Sequence, residues 1–235
     1  MYKIELIVGY DTQLAELILE YPDILNALTY LNIGLGFGDH TVHEVADNTR
    51  VNSEAFMVIL RTYCRQLLPE KTIKKEALGD LLIFLKNAHN DFKQNQIPEL
   101  KNHIALFASG IPEKQGNMLI SFFDGYIGEV YEHFEYEEET VFPYIETILD
   151  SRPANGFSMH AFEKNHTDIE QKLYDLKNIL IKYIPESEIS GLRKFILQDL
   201  FCFEQQLSYH SELENHVLAP SVKKVEKTER RKKNS

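Results

Sequence analysis

A chain of 235 residues with 43% hydrophobic content has room for one sizeable globular domain, or for a small domain beside a larger one. Its net charge of −11 is uneven: residues 1–222 hold 18 basic and 34 acidic side chains, whereas the stretch from Lys223 onward holds seven basic and two acidic ones. So acidic a body excludes nucleic acid as the main partner, and the lack of an apolar run near the roughly 20 residues that span a bilayer excludes a membrane span.

Met1 to Leu6 carries an early acid and no signal-peptide apolar stretch, which makes the cytoplasm the expected location. Apolar residues recur at helical spacing and no run alternates with period two, so the expected fold class is all-α. Leu14, Leu17, Ile18, Leu25, Leu28 and Leu31 place a helix over 12–31, interrupted near Pro22. Gly34 to Gly38 is a breaker. Thr41 to Ala46 makes a short helix, and Ser53 to Leu68 another, with Ser53 as its cap. Pro69 closes this unit, so residues 1–70 are expected as a small helical domain that buries too little surface to stand alone.

Four longer helices are expected within residues 71–222. Helix A runs from Ala77 to Asn95, followed beyond Pro98 by a shorter piece to Phe107. Helix B runs from Gly116 to Leu149, helix C from Ser158 to Tyr183, and helix D from Ser187 to Leu218. Long helices with short joints pack as an antiparallel four-helix bundle. Residues 223–235 read as a basic, disordered tail. Cys64 and Cys202, far from any Cys-x-x-Cys pair, read as reduced core thiols.

One pattern occurs twice: His133-x-x-x-Glu137 and His210-x-x-x-Glu214, each with an apolar residue eight after the histidine (Val141, Leu218) and a proline ten after it (Pro143, Pro220). Residues four apart share a helix face, so each copy presents an imidazole and a carboxylate to one point. His-x-x-x-Glu alone is weak, because His40/Glu44 and His166/Glu170 also have it. Helix A offers His89 on its apolar stripe, a position that equally suits a hydrogen-bonded core histidine. Helix C offers His160 and His166 on different faces, and His166 shares the stripe of Ile169, Leu173 and Leu176. Four imidazoles, two carboxylates and no thiolate suit iron or manganese in a two-metal site. His103 and His216 have no place in the pattern, and Glu138, Glu139 and Glu212 read as a solvated face. Glu163 or Asp168 is the expected holder of a ligand histidine's second N–H.

The chain resembles a hemerythrin-like (HHE) cation-binding domain, and is most similar to the di-iron proteins of the iron–sulfur cluster repair family. The resemblance covers most of residues 75–222. It is carried by Ala88-His89-Asn90-Asp91 with Pro98-Glu99-Leu100, by the segment His133 to Pro143, by Phe162-Glu163-Lys-Asn-His166, and by the segment His210 to Pro220. It implies His89, His133, His166 and His210 as terminal ligands and Glu137 and Glu214 as bridges of an oxo- and carboxylate-bridged non-haem di-iron centre, with manganese admissible. It further implies a role in the oxidative or nitrosative stress response, assisting repair of damaged iron–sulfur clusters. Dioxygen or nitric oxide would be the small ligands and iron–sulfur proteins the clients. A sensor or carrier of the same diatomics, without turnover, is the alternative, and a homodimer is left open. Such proteins carry a leading domain with a Cys-Cys-Gly-Gly turn. Here Tyr30-Leu-Asn-Ile33 leads into Gly34 to Glu44, which keeps the turn and lacks the cysteine pair. His40 and His43 read as exposed turn residues.

Overall fold

A computed structural model describes residues 7–66, 71–150, 152, 159, 167–185 and 190–233. The chain is all-α. Its helices are α1 (Leu14–Glu20), α2 (Ile24–Tyr30), α3 (Val42–Thr49), α4 (Ser53–Tyr63), α5 (Lys75–Asp91), α6 (Ile97–Ser109), α7 (Glu113–Tyr136), α8 (Phe142–Leu149), α9 (Thr167–Asn178), α10 (Ser190–Leu213) and α11 (Ala219–Lys233). Among the described residues there is no strand, only a lone bridge between Gln13 and Thr41.

Local chemistry sets the short N-terminal helices. The expected helix over 12–31 is two, because Pro22 follows the end of α1. Gly36 and Gly38 take φ of +101° and +59°, values that cost an L side chain strain. Thr41 and Glu44 form a reciprocal capping box at α3: the Glu44 carboxylate accepts from Thr41 N at 2.8 Å and Thr41 Oγ1 accepts from Glu44 N at 3.3 Å. The cap of α4 is Asn52 rather than Ser53. Its Oδ1 accepts from Glu54 N at 3.0 Å and from Ala55 N at 3.3 Å, a reach for which an asparagine in extended geometry is well suited.

Packing divides the chain into two compact units. The first comprises Met1–Ala88, Val141–Ala161 and Tyr209–Ser235. Within it, Tyr63 stacks on Tyr209 with ring centroids 4.3 Å apart, and the Tyr209 hydroxyl donates to Asp23 at 2.8 Å. Asn87 donates to the Tyr30 carbonyl at 2.7 Å. The early helices are thus tied to α5 and to the end of α10. The tail differs from the disordered segment expected from its charge. Ala219, Ser221 and Val222 are buried, Tyr144 donates to Glu226, and helix α11 continues to Lys233. An apolar first turn anchors the helix, and lysine and arginine are good helix formers.

The second unit comprises His89–Thr140 and Phe162–Ser208. Helices α6 and α7 form a hairpin through Gly110-Ile-Pro112. Polar pairs close a ring of four helices: Lys101–Asp124 joins α6 to α7, Lys172–Glu129 joins α7 to α9, Lys177–Glu204 joins α9 to α10, and His103–Asp199 joins α10 to α6. Phe92, Phe107, Phe123, Tyr126, Val130, Phe134, Leu173, Leu176, Leu200 and Phe203 are buried. Each large apolar side chain so placed contributes about 1.5–3 kcal/mol, whereas the exposed pairs Lys101–Asp124 and Lys172–Glu129 contribute about 0–1 kcal/mol each. The apolar interior holds this unit together.

Among the described residues there are four short π-helical turns, Phe92–Gln96, Glu137–Val141, Ile179–Tyr183 and Glu214–Leu218, the third closing α9 and the others joining consecutive helices. A proline stands six residues after the first residue of each, at Pro98, Pro143, Pro185 and Pro220. Proline has no N–H for the carbonyl four residues back, and its ring presses on that carbonyl; widening the preceding turn relieves both. The break expected at Pro98 therefore does not occur: α5 leads through a π turn straight into α6. At Pro220 the carbonyl released is that of His216, which accepts from the backbone N–H of Lys71 at 2.9 Å.

Candidate metal centre

The last turn of α5 carries His89 on the stripe of Leu81, Leu82, Leu85 and Ala88, all buried, and His89 is itself fully buried. In the last turn of α7, His133 is 9% exposed in its side chain, and Glu137, just beyond the helix end, is fully enclosed. Glu137 opens its π turn, so the widened turn sets the direction of the carboxylate. It directs Oε2 to His89 Nε2 at 3.1 Å and Oε1 to His133 Nε2 at 3.2 Å. One carboxylate thus offers its two oxygens to two imidazoles. Phe134 stacks on His89 with centroids 4.1 Å apart and Phe92 stacks on Phe134 at 5.6 Å, fixing the plane of the imidazole.

The second copy of the motif has the same construction. His210 ends α10, Glu214 opens its π turn, and His210 Nε2 lies 3.1 Å from Glu214 Oε1, both residues being buried. His89, Glu137, His210 and Glu214 are each buried. Two enclosed carboxylates are costly to ionise in a low-dielectric interior unless cationic or hydrogen-bonded partners accompany them. His89, His133 and Glu137, with no thiolate among them, form a nitrogen–oxygen donor set that fits a first-row metal ion.

The other sequence candidates fall as follows. His166 lies outside the described residues, as do His160 and Glu163. His40 and His43 are exposed, beside Asn48 and Asp47 respectively, and neither is in the buried group. His103 is half-buried against Asp199 at 2.9 Å, and His216 is exposed. Cys64 is buried as expected, and burial pushes its thiol up to about 12, whereas Cys202, expected in the core, is exposed because its position on α10 faces solvent. Glu139 is solvated as expected, and Glu212 is half-buried with its carboxyl pushed up by burial.

Glu138 departs from its expected place on a solvated face. Its Oε1 lies 3.1 Å from His89 Nδ1, and both of its oxygens accept from Lys93 Nζ, at 2.6 and 2.7 Å. The His89 hydrogen bond first, and Lys93 with it, hold this carboxyl down to about 2 against the opposing effect of burial. The π turn explains the miss. Immediate neighbours on a regular helix stand about 100° apart, so the residue beside an inward Glu137 reads as outward-facing. In the widened turn Glu138 still reaches the far edge of the same histidine. The signal for it in the sequence is the lysine four residues after His89.

No helix among the described residues is long and apolar enough to cross a membrane. The model of the Hemerythrin HHE cation binding domain matches residues 80–222. The iron-sulfur cluster repair protein ScdA of Staphylococcus haemolyticus (strain JCSC1435) is 21% identical over 216 residues, covering 88% of this chain and 96% of that protein. The match runs from helix α5 to the first turn of α11 and contains both His-x-x-x-Glu motifs, the π turns that start at their glutamates, and the buried histidine–glutamate group. The chain belongs to the hemerythrin HHE cation-binding family, and its fold is that family's helical bundle.

Proposed function

We propose that this chain is a non-haem di-iron protein that assists repair of iron–sulfur clusters damaged by reactive oxygen or nitrogen species. The observation that carries the reading is Glu137, fully buried, with one oxygen toward His89 and the other toward His133. A carboxylate placed between two imidazoles is suited to join two ions, one beside each histidine. The reading assigns His89, His133, His166 and His210 as terminal ligands, Glu137 and Glu214 as bridges, residues 71–222 as the metal-holding domain and residues 1–70 as a leading domain. Iron bound there supplies one-electron redox chemistry and open positions for dioxygen or nitric oxide. The chain's own part is to exclude bulk water with Phe92 and Phe134, hold the imidazole edges in place and supply the carboxylates. The similarity to a protein named for iron–sulfur cluster repair supports the biological assignment, with damaged iron–sulfur proteins as clients in the cytoplasm.

Anaerobically purified protein should contain about two iron atoms per chain. It should also restore activity to a nitric-oxide-inactivated iron–sulfur dehydratase at a rate that falls when chelator strips the iron. Metal-free protein that resists loading overturns the metal centre; loaded protein without effect on the dehydratase overturns the repair role. Burial of His89, Glu137, His210 and Glu214 favours a second reading, a sensor or carrier of diatomic ligands. Enclosed ligands slow release of the ion, so iron that survives prolonged chelator exposure selects this reading, and iron removed within minutes selects repair by donation.

A further inference from the structure

We infer that Glu138 and Lys93 form a positioning pair that sets the His89 imidazole with its Nδ1–H edge held away from the centre and its Nε2 edge turned toward the metal. The inference rests on the metal-centre reading above. His89 is fully buried and polar on both edges: Nε2 lies 3.1 Å from Glu137 and Nδ1 lies 3.1 Å from Glu138. A carboxylate can only accept, so the hydrogen on the Glu138 edge belongs to Nδ1. A neutral imidazole then has its lone pair on Nε2, the edge that faces Glu137. Phe134 fixes the ring plane by stacking, but a flip of the ring about its bond to Cβ leaves that stacking nearly unchanged. Only a partner on one edge distinguishes the two orientations.

Lys93 supplies the second constraint. It stands four residues after His89 and spans both Glu138 oxygens, at 2.6 and 2.7 Å. Glu138 adjoins Glu137, and a second carboxylate at that position is a potential competitor for the same ion. An ammonium on both of its oxygens restrains it in the supporting role. Glu139, the next acid along, is exposed and makes no such contact among the described residues.

The test adds cobalt(II) anaerobically to the metal-free full-length chain. Affinity is read by chelator competition, and exchangeable, hyperfine-shifted imidazole N–H resonances by proton NMR. Glu138→Ala should weaken cobalt binding about 10–100-fold and lose, or exchange quickly, one N–H resonance. Glu138→Gln should fall between this variant and the native chain. Lys93→Met should move both readouts in the same direction by less, Lys93→Arg should restore them, and Glu139→Gln should leave them unchanged. Matching thermal melts of the metal-free variants separate positioning from misfolding. Native chain that takes up cobalt while Glu138→Ala keeps both its affinity and its N–H spectrum overturns the inference alone. Native chain that takes up no cobalt overturns the metal-centre reading and the inference with it.

Discussion

Glu137→Ala removes the carboxylate that faces both His89 and His133 at 3.1 and 3.2 Å. The residue is fully buried, so no solvent-side acid takes its place. The neighbouring Glu138 is held by Lys93. In the metal-free chain the two imidazoles lose a carboxylate neighbour. Removing a buried carboxylate also recovers its desolvation cost, and His89 retains Glu138, so the net destabilisation should be about 1–3 kcal/mol. The metal-dependent part is larger. A ligand held at a thousand times its dissociation constant stabilises the folded state by about 4 kcal/mol. For a chain of this size that raises the melting temperature by about 8–16 °C. Anaerobic thermal melts with and without iron(II) should show this upward shift in the native chain and none in Glu137→Ala. His103→Ala, on the opposite side of the same reasoning, should keep the full shift. An equal iron-dependent shift in native chain and Glu137→Ala refutes the assignment of Glu137 to the centre.

Tyr126 is 1% exposed and its hydroxyl has no hydrogen-bond partner among the described residues, so Tyr126→Phe should be neutral or stabilising by about 1 kcal/mol in urea denaturation; a loss above that size contradicts the described environment. A Cβ on Gly116 would meet the Ala108 carbonyl oxygen at 2.6 Å, so Gly116→Ala should destabilise by about 1–3 kcal/mol despite its better helix propensity. Gly125→Ala, with nothing within 4 Å, should stabilise by about 0.5–1 kcal/mol in the same assay. At pH 8 a thiol reagent should modify Cys202 alone in the folded chain and both cysteines in denaturant, because Cys64 is buried and its thiol is pushed up to about 12. Two fast thiols in folded protein contradict that burial.

Much of the fold was legible because its signals are local and repeated. The stripe through Leu81, Leu85 and His89 and the turn at Gly110-Ile-Pro112 each state a helix face or end directly. The twin motif likewise states that each histidine shares a helix face with its glutamate, and His133 lies 3.2 Å from Glu137 and His210 3.1 Å from Glu214. What escaped depends on departures from the regular helix. Pro98 reads as a stop, because whether a helix accommodates a proline depends on the turn before it. Glu138 reads as solvated, because 100° per residue cannot represent a π turn. The course of residues 223–233 was misread for another reason: charge composition alone hides the buried Ala219, Ser221 and Val222 from which helix α11 grows.

The carbonyl released at Pro220 gives the turn that begins at Glu214 a second role, as an anchorage. Lys71 donates to His216 O at 2.9 Å, Ile73 donates to Ser221 Oγ at 2.9 Å, and Ser221 in turn donates to Val217 O at 2.6 Å. The strand of chain leaving the N-terminal helices is therefore fastened to the turn that aims a candidate metal-binding carboxylate. Any rearrangement of that turn would displace those acceptors and release Lys71 and Ile73 together. The chain has in effect wired its inter-helix connector to the backbone beneath Glu214, so that the two share one mechanical state.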